Sequence, residues 1–307
     1  MCDTCGCNIT PGNRHLIEGD GKLSRTEDGK SAVTVLQGLL HENDHQAVHN
    51  RAHFDSRGIL CVNLMSSPGA GKTALLEATI DALDGEFRIA VVEGDLETEN
   101  DAERIRRRGV PAVQIATGTA CHLDAHMVHD ALHQLDLDEV DIVFIENVGN
   151  LVCPASFDLG HHRNITLLSV TEGDDKPSKY PVMFRAADLM LLTKTDLLAV
   201  LDDFDCAAAE TALRNLANAA PVIEMSARKG LGMETWLDWL RDEARAQRAR
   251  LEDGETAHPS VQAEGARLHA HQHEHGHHHH HAHDHHHAHG HDHVHHHGHH
   301  HHEHGES

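Results

Sequence analysis

The chain has 307 residues, of which 49 are Asp or Glu, 25 are Lys or Arg and 36 are His. This length allows one large core and at most two domains. The net charge of -24 argues against a nucleic-acid partner, because an acidic surface repels phosphates. The chain starts without the basic and apolar regions of a signal peptide, and no stretch approaches the ~20 apolar residues of a membrane helix. We therefore expect a cytoplasmic protein that binds neither nucleic acid nor membranes.

Three cysteines, Cys2, Cys5 and Cys7, crowd into the first seven positions. In a reducing cytosol, such a group is better explained as metal ligands than as disulfides. Gly6 permits the tight turn that brings the sulfurs together, and the amine of Cys2 becomes a fourth ligand if Met1 is removed. Three thiolates and one amine in a plane suit Ni²⁺ better than tetrahedral Zn²⁺. We predict a nickel site here; the alternative is exposed thiols on a frayed terminus.

A loose linker is predicted around residues 19–31, followed by a helix over residues 32–53. The helix has a histidine at every fourth position, which places these side chains in one stripe. The four are His41, His45, His49 and His53. Neighbours in the stripe could share a metal ion, but the pattern favours a solvated helix face.

Short apolar runs alternate with helix-like segments from residue 58 to about residue 245. The runs that predict strands are 59–65, 87–92, 112–116, 142–146, 165–170, 189–193 and 222–225. This alternation is typical of an α/β fold with a mostly parallel sheet that is covered by helices on both faces.

The first predicted strand runs into Ser66-Ser-Pro-Gly-Ala-Gly-Lys-Thr73, and a helix follows over residues 74–81. This strand–loop–helix context is the one that a phosphate-binding P-loop requires. Lys72 would reach the β- and γ-phosphates of a nucleotide, and the Thr73 hydroxyl would bind Mg²⁺. Ser66 stands where the motif usually has its first glycine; the alternative is a glycine-rich turn that caps an ordinary helix. The predicted phosphate-binding residues are Pro68, Gly69, Ala70, Gly71, Lys72, Thr73 and Ala74.

Two acidic residues follow predicted strands, at the edge where an open α/β sheet binds its ligands. Asp95 follows the second strand, and Glu146 ends the fourth. Beside a P-loop, we predict that both act on the metal ion and the attacking water. Taken alone, either could be a surface acid in a loop.

The segment Leu191-Leu-Thr-Lys-Thr-Asp196 resembles the Asn-Lys-x-Asp motif with which GTPases recognise guanine. Asp196 would accept hydrogen bonds from the guanine N1–H and the exocyclic amine, and adenine lacks both donors. Lys194 would lie against the base, and Thr193 replaces the usual Asn. The later pair Ser226-Ala227 resembles the loop that closes over guanine in the same proteins. The two motifs in this order predict GTP, although a strand ending in a charged turn explains either one alone.

A second group of metal ligands is suggested by Cys121 and His122, which are adjacent, and by Cys153, seven residues beyond Glu146. Thiolate and imidazole suit Zn²⁺ or Ni²⁺. A metal held by Cys153 would respond to movement of the segment that senses the γ-phosphate. Spacing alone favours buried thiols and a surface histidine.

Four motifs occur in order: Pro-Gly-Ala-Gly-Lys-Thr, Glu-Gly-Asp-Leu, Thr-Gly-Thr-Ala-Cys-His-Leu-Asp-Ala and Glu-Asn-Val-Gly-Asn-Leu-Val-Cys-Pro. With the N-terminal cysteines, they resemble the hydrogenase nickel-incorporation GTPase family (HypB) over about residues 59–240. The resemblance implies a dimer that forms on GTP binding, with Cys121, His122 and Cys153 as a metal site at the subunit interface. It also implies nickel delivery to [NiFe] hydrogenase, with a small zinc-binding nickel-insertion protein and the precursor of the hydrogenase large subunit as partners.

The last part of the chain is His-rich and has almost nothing apolar to bury, so it should be disordered without metal. Many weak sites at high local concentration would store or buffer nickel. We predict three parts: an N-terminal Cys motif, linker and helix (1–57), a P-loop GTPase domain (58–245) and a metal-binding tail (246–307).

The leading hypothesis is a Mg²⁺-dependent GTPase whose cycle controls nickel transfer. Its turnover should be slow without a partner, because no certain general base and no arginine finger are evident. One alternative is a nickel buffer with a weak nucleotide site. Another is a related GTPase that serves urease or a different nickel enzyme. Urease-maturation GTPases typically carry Cys-Pro-His where this chain has Cys-His-Leu-Asp, which counts against urease.

Overall fold

The computed structural model describes residues 32–95, 100–118, 120 and 122–260. The predictions made for Cys2, Cys5, Cys7, Cys121, the linker and the tail beyond residue 260 lie outside these residues. Among the described helices, none combines the length and the apolar character needed to cross a membrane.

Seven strands form one sheet in the described part of the chain, in the order β3-β2-β4-β1-β5-β6-β7. Every pairing between them is parallel. The strands are β1 (Leu60–Ser66), β2 (Ile89–Asp95), β3 (Ala112–Ala116), β4 (Ile142–Glu146), β5 (Arg163–Ser169), β6 (Leu189–Thr193) and β7 (Val222–Glu224). Each predicted apolar run becomes a strand, with ends that shift by at most three residues. The predicted α/β fold class is confirmed, and the sheet is parallel throughout.

Helices connect these strands, as parallel pairing requires. In the described residues they are α1 (Ala32–Asp55), α2 (Lys72–Ala82), α3 (Asn100–Arg106), α4 (Ala125–Leu132), α5 (Lys176–Lys179), α6 (Pro181–Arg185), α7 (Cys206–Asn215) and α8 (Met233–Glu252). In the same described part of the chain, 3-10 turns cover Pro154–Ser156 and Thr195–Ala199. The predicted domain limits at residues 57 and 245 stay predictions; α8 continues to Glu252.

The central strand shows how the two faces are covered. In β1, Leu60, Val62 and Leu64 are buried in one cluster with apolar residues of α2 and α8. Cys61 lies on the opposite face, in a cluster with residues of α1 and α4. Because successive side chains of a strand point to opposite faces, a run that is apolar throughout is buried on both.

Helix α1 packs against the sheet and against α4. Phe54 is fully buried in the cluster it shares with both. The guanidinium of Arg51 forms a buried ion pair of 2.7 Å with Asp158. Asn50, also fully buried, donates to the carbonyls of Ala125 and Leu159 over 2.7 and 3.1 Å. The helix therefore holds a defined position next to α4.

Candidate functional site

The P-loop joins the centre of the sheet to α2. Gly71 stands at the N-cap of α2 with φ 102°, a left-handed conformation that glycine adopts without strain. Lys72 and Thr73 begin the helix and are buried. The Lys72 ammonium donates to the Ser66 hydroxyl over 3.1 Å. The serine that replaces the usual first glycine thus supplies an acceptor for the lysine.

Glu146 lies directly beside the P-loop. The Thr73 hydroxyl donates to Glu146 Oε1 over 2.9 Å. Across the sheet, Glu146 at the end of β4 stands in register with Glu93 of β2. Both carboxyl groups are buried, with 5% and 2% of their residues' surface exposed. Glu93, Glu146 and Lys72 therefore lie at the C-terminal ends of adjacent strands.

These two carboxyl groups are close enough to shift each other's pKa. Burial and the charge of Glu146 raise the pKa of Glu93 well above its usual range. Burial also raises the pKa of Glu146, which the Lys72 ammonium and hydrogen bonds from Glu93 and Thr73 counteract. Because two like charges at close range repel each other, this environment favours the protonated form of Glu93, with Glu146 as the acceptor of its hydrogen bond.

Sequence reasoning missed Glu93 and selected Asp95 from the same strand. A signal was available: Glu93 is an acid that directly follows the apolar residues of β2, two positions before Asp95 and so on the same face. Asp95 lies at the end of β2, half-buried, and its carbonyl accepts from the Thr117 N–H over 2.9 Å. Its role toward a metal ion stays a prediction.

The predicted guanine-recognising segment contacts the P-loop. The Thr193 hydroxyl donates to the Ala70 carbonyl over 2.7 Å, and the Lys194 ammonium donates to the Gly69 carbonyl over 2.6 Å. Lys194 has φ 59°, which is uncommon for a residue with a side chain. Asp196 follows in the turn Thr195–Ala199. The Thr that replaces the usual Asn therefore braces the phosphate loop.

The second predicted guanine loop lies next to the first. The N–H of Thr195 donates to the Met225 carbonyl over 3.1 Å. Ser226 is buried; its N–H donates to the Leu231 carbonyl over 2.9 Å, and its hydroxyl accepts from the Lys229 N–H over 3.3 Å. The half-buried Ala227 follows. The fold thus brings the P-loop and the two segments predicted to recognise guanine to one edge of the sheet.

The loop after β4 approaches the P-loop closely. A Cβ atom on Gly149 would lie 2.9 Å from the Cα and N atoms of Pro68. In the same loop, Asn147 is fully buried, and its Oδ1 accepts from the N–H of Val148 over 2.9 Å and of Leu123 over 3.4 Å. Leu123 follows His122, so this loop joins the nucleotide site to the segment of the second predicted metal site.

Two of the three predicted ligands of that metal site lie in the described residues. His122 is buried, and its ring stacks on Phe157 with centroids 4.0 Å apart. Cys153 is half-buried and stands at the N-cap of the 3-10 turn Pro154–Ser156. Cys121 lies outside the described residues, so the set as a whole remains a prediction.

The residues present fit a magnesium ion beside the P-loop. Oε1 of Glu93 and Oε2 of Glu146 are buried, and neither atom has a hydrogen-bond partner among the described residues. Hard carboxylate and hydroxyl oxygens are the ligands that Mg²⁺ prefers. Thr73 and Glu146 are therefore suited to hold the ion directly or through water.

Comparison with known proteins agrees with this geometry. Residues 60–224 match the family model described as "CobW/HypB/UreG, nucleotide-binding domain". The hydrogenase maturation factor HypB of Azotobacter vinelandii is 51% identical over 245 residues, which cover 78% of this chain and 80% of that protein. The hydrogenase/urease maturation factor HypB of Helicobacter pylori (strain ATCC 700392 / 26695) is 42% identical, with 70% and 90% covered.

A solved structure gives the same result. The crystal structure of HypB from Helicobacter pylori in complex with nickel has a TM-score of 0.65 and 41% sequence identity, and the match covers 71% of this chain and 99% of that one. The fold, the matched family model and relatives at this level of identity lead to one assignment: the chain belongs to the HypB family of hydrogenase maturation factors, within the CobW/HypB/UreG nucleotide-binding proteins.

Proposed function

We propose that the chain is a GTP-hydrolysing nickel metallochaperone that acts in the cytoplasm during maturation of [NiFe] hydrogenase. The observation that supports this proposal most directly is the contact of Thr193 and Lys194 with the P-loop, because Asp196 follows two residues after Lys194. Family membership supports the link to hydrogenase, and the nickel complex of the Helicobacter pylori relative supports the metal.

The residues of the site have distinct roles in hydrolysis. Lys72 moves from Ser66 to the β- and γ-phosphates and stabilises their charge. Thr73 and Glu146 hold Mg²⁺, which neutralises charge on the phosphates. Glu93 keeps its proton as the hydrogen-bond donor to Glu146, which is the anion, and would release that proton to solvent once the charge of Mg²⁺ offsets the charges of both carboxylates. Asp95 stands at the same edge, where it would orient water. Slow turnover in the isolated protein remains the prediction from the sequence, in which no arginine finger is evident.

Guanine recognition has a direct test in Asp196→Asn. The Asn side chain cannot accept from both guanine donors, but its amide can donate to the additional carbonyl of xanthine. We expect GTP affinity to fall at least 100-fold and xanthosine triphosphate affinity to rise, measured by calorimetry with Mg²⁺. Asp202→Asn, in the loop after the Thr195–Ala199 turn, is the matched control. Equal GTP affinity in Asp196→Asn and the control would overturn the assignment of GTP.

Nickel binding is proposed at two places that contain cysteine. Cys2, Cys5 and Cys7 form a nickel site, and Cys121, His122 and Cys153 form a site for Ni²⁺ or Zn²⁺ at the interface of a GTP-dependent homodimer. The hydrogen bond from Leu123 to Asn147 supports coupling between this second site and the nucleotide. We expect the tail to store nickel, and its removal should lower bound nickel sharply while GTP hydrolysis stays unchanged.

The client enzyme is tested in a strain that lacks this gene. We expect hydrogenase activity to disappear and to return in part with added nickel, while urease activity is kept. A small zinc-binding nickel-insertion protein and the hydrogenase large-subunit precursor are the proposed partners. The name of the Helicobacter pylori relative makes urease the second candidate client, and loss of both activities would support it. Normal activity of both enzymes at ordinary nickel would leave a nickel buffer as the explanation.

A further inference from the structure

Four histidines from two helices meet at the surface of the described part of the chain, and none of them belongs to the proposed nickel sites. His49 and His53 lie on α1, and His129 lies on α4 with His133 one turn later. One ring nitrogen from each of His49, His53 and His129 lies within 4.8 Å of the others. The His133 and His129 rings are 4.5 Å apart at their centroids, and their Nε2 atoms are separated by 3.0 Å.

The packing of α1 on α4 creates this cluster. Asn43 Oδ1 accepts from the Ala125 N–H over 2.9 Å, and Asn50 donates to the Ala125 carbonyl. These two buried amides fix the start of α4 against α1. The helices are far apart in the chain, so the cluster is a product of tertiary structure and not only of a His-rich segment.

A buried amide orients the central ring. Both Asn50 N–H bonds are directed at carbonyls, so Asn50 Oδ1 must act as an acceptor. His129 Nδ1 lies 3.1 Å from that oxygen and is therefore the protonated nitrogen. The lone pair of His129 is consequently on Nε2, which faces His133. A hydrogen bond from the second ring nitrogen to a fixed acceptor is the arrangement that orients histidine ligands in metal sites.

The surroundings leave room for a cation. The outer side of the cluster opens into a cleft of about 390 Å³ lined by His53, His129 and His133. Burial, followed by neighbouring histidines, lowers the pKa of His53 and His129. The nearest cationic side chain in the lining, Arg57, is paired with Asp138 at 2.9 Å.

We propose that His49, His53, His129 and His133 form a binding site for a divalent first-row transition-metal ion, for which Ni²⁺ and Zn²⁺ are the probes. All-imidazole donor sets suit such ions and not Mg²⁺ or Ca²⁺. Metal–nitrogen bonds of ~2.0–2.1 Å require nitrogens about 3 Å apart, which the His129–His133 pair already satisfies. Small side-chain rotations bring His49 and His53 into reach. A bound ion would tie α1 to α4.

The first test is footprinting of the full chain, because the tail and cysteines also bind metal and only a residue-resolved measurement separates them. The protein is treated with diethylpyrocarbonate, with and without Ni²⁺ or Zn²⁺, and histidine modification is measured by peptide mass spectrometry. His126 is the matched control, since it is exposed on the same helix but outside the cluster. We expect at least tenfold protection of His53 and His129 relative to His126. Equal rates with and without metal would overturn the proposal.

The second test measures whether a metal ion bound between α1 and α4 stabilises the folded protein. We expect Ni²⁺ to raise the melting temperature of the wild type and of His126→Gln by several degrees, because an ion that binds only the folded state stabilises it. His129→Gln should lose most of that shift. A cooperative melting transition of each variant in EDTA shows that the variant folds. The footprint is measured on the wild type and so does not depend on the folding of any variant. Identical nickel shifts in His126→Gln and His129→Gln would contradict a site between the helices. None of these readouts depends on GTP, so they succeed or fail separately from the proposed function.

Discussion

The backbone of Pro68 lies against Gly149, so that a Cβ atom on the glycine would stand 2.9 Å from the Pro68 Cα. Real Cβ atoms do not approach backbone atoms this closely, and Gly149→Ala must therefore displace the phosphate loop. We expect GTP affinity to fall at least tenfold, with an unfolding free energy lowered by about 1–2 kcal/mol. Gly85→Ala is the control, because it strains a left-handed turn with open space around it. Similar GTP affinity in both variants would show that the loop adapts.

Thr193→Val tests the hydrogen bond between the Thr193 hydroxyl at the end of β6 and the Ala70 carbonyl of the P-loop. The substitution keeps the shape of the side chain and leaves the Ala70 carbonyl without its donor, which costs about 1–3 kcal/mol for a buried group. We expect the GTP dissociation constant to rise roughly tenfold by calorimetry. Thr193→Ser keeps the hydroxyl and should bind like the wild type. If Ser and Val variants bind GTP equally, the hydroxyl has no part in holding the loop.

Glu93→Gln should raise the stability of the protein and lower its rate of GTP hydrolysis. A Gln amide can donate to Glu146 permanently, which removes the cost of burying two acids together. We expect the nucleotide-free protein to gain about 1 kcal/mol of unfolding free energy, measured with urea. GTP hydrolysis with Mg²⁺ should fall at least tenfold, because Glu146 stays engaged with the amide. Glu252→Gln at the exposed end of α8 should change neither quantity.

Because His161 is buried, we expect the protein to lose stability in mild acid. His161 is fully buried, and burial lowers its pKa to about 4, whereas the unfolded chain has the ordinary value of 6.5. Since the unfolded state takes up the proton first, stability falls as the pH drops from 6.5 toward 4. Linkage gives a loss of about 2 kcal/mol between pH 7.5 and pH 5 from this group.

The matching variant is His161→Gln, which can keep a donor toward Asn164 and does not titrate. Urea unfolding at pH 7.5 and pH 5 should show that the wild type loses about 2 kcal/mol more than the variant. The same pH dependence in both proteins would mean that His161 is already protonated or already accessible in the folded state.

Much of this architecture follows from local sequence. The strands were predictable because a parallel sheet buries both faces of each strand and so produces uninterrupted apolar runs. The P-loop was predictable because its spacing is set by a single strand–loop–helix unit. Thr193 was identified as a departure from the usual Asn, but its contact with Ala70 requires the relative positions of β6 and the P-loop.

The features that sequence reasoning missed depend on register and packing. Glu93 matters because β2 and β4 are aligned so that it faces Glu146, and neither strand alone contains that information. The histidine stripe on α1, by contrast, is evident from the sequence, with a solvated face and a shared metal ion as its two interpretations. Its partner His129 comes from α4, which only the packing of the two helices reveals.

The place of β1 in the sheet has a consequence for biosynthesis. Both neighbours of β1 come later in the chain, β4 at Ile142–Glu146 and β5 at Arg163–Ser169. While the protein is being made, the strand that leads into the phosphate loop therefore has both edges unpaired and is open to aggregation. Thr193 and Asp196 are made later still. A ribosome-bound chain that ends before Thr193 therefore lacks this donor to the P-loop, and the proposed binding of GTP would stabilise only chains that extend beyond it.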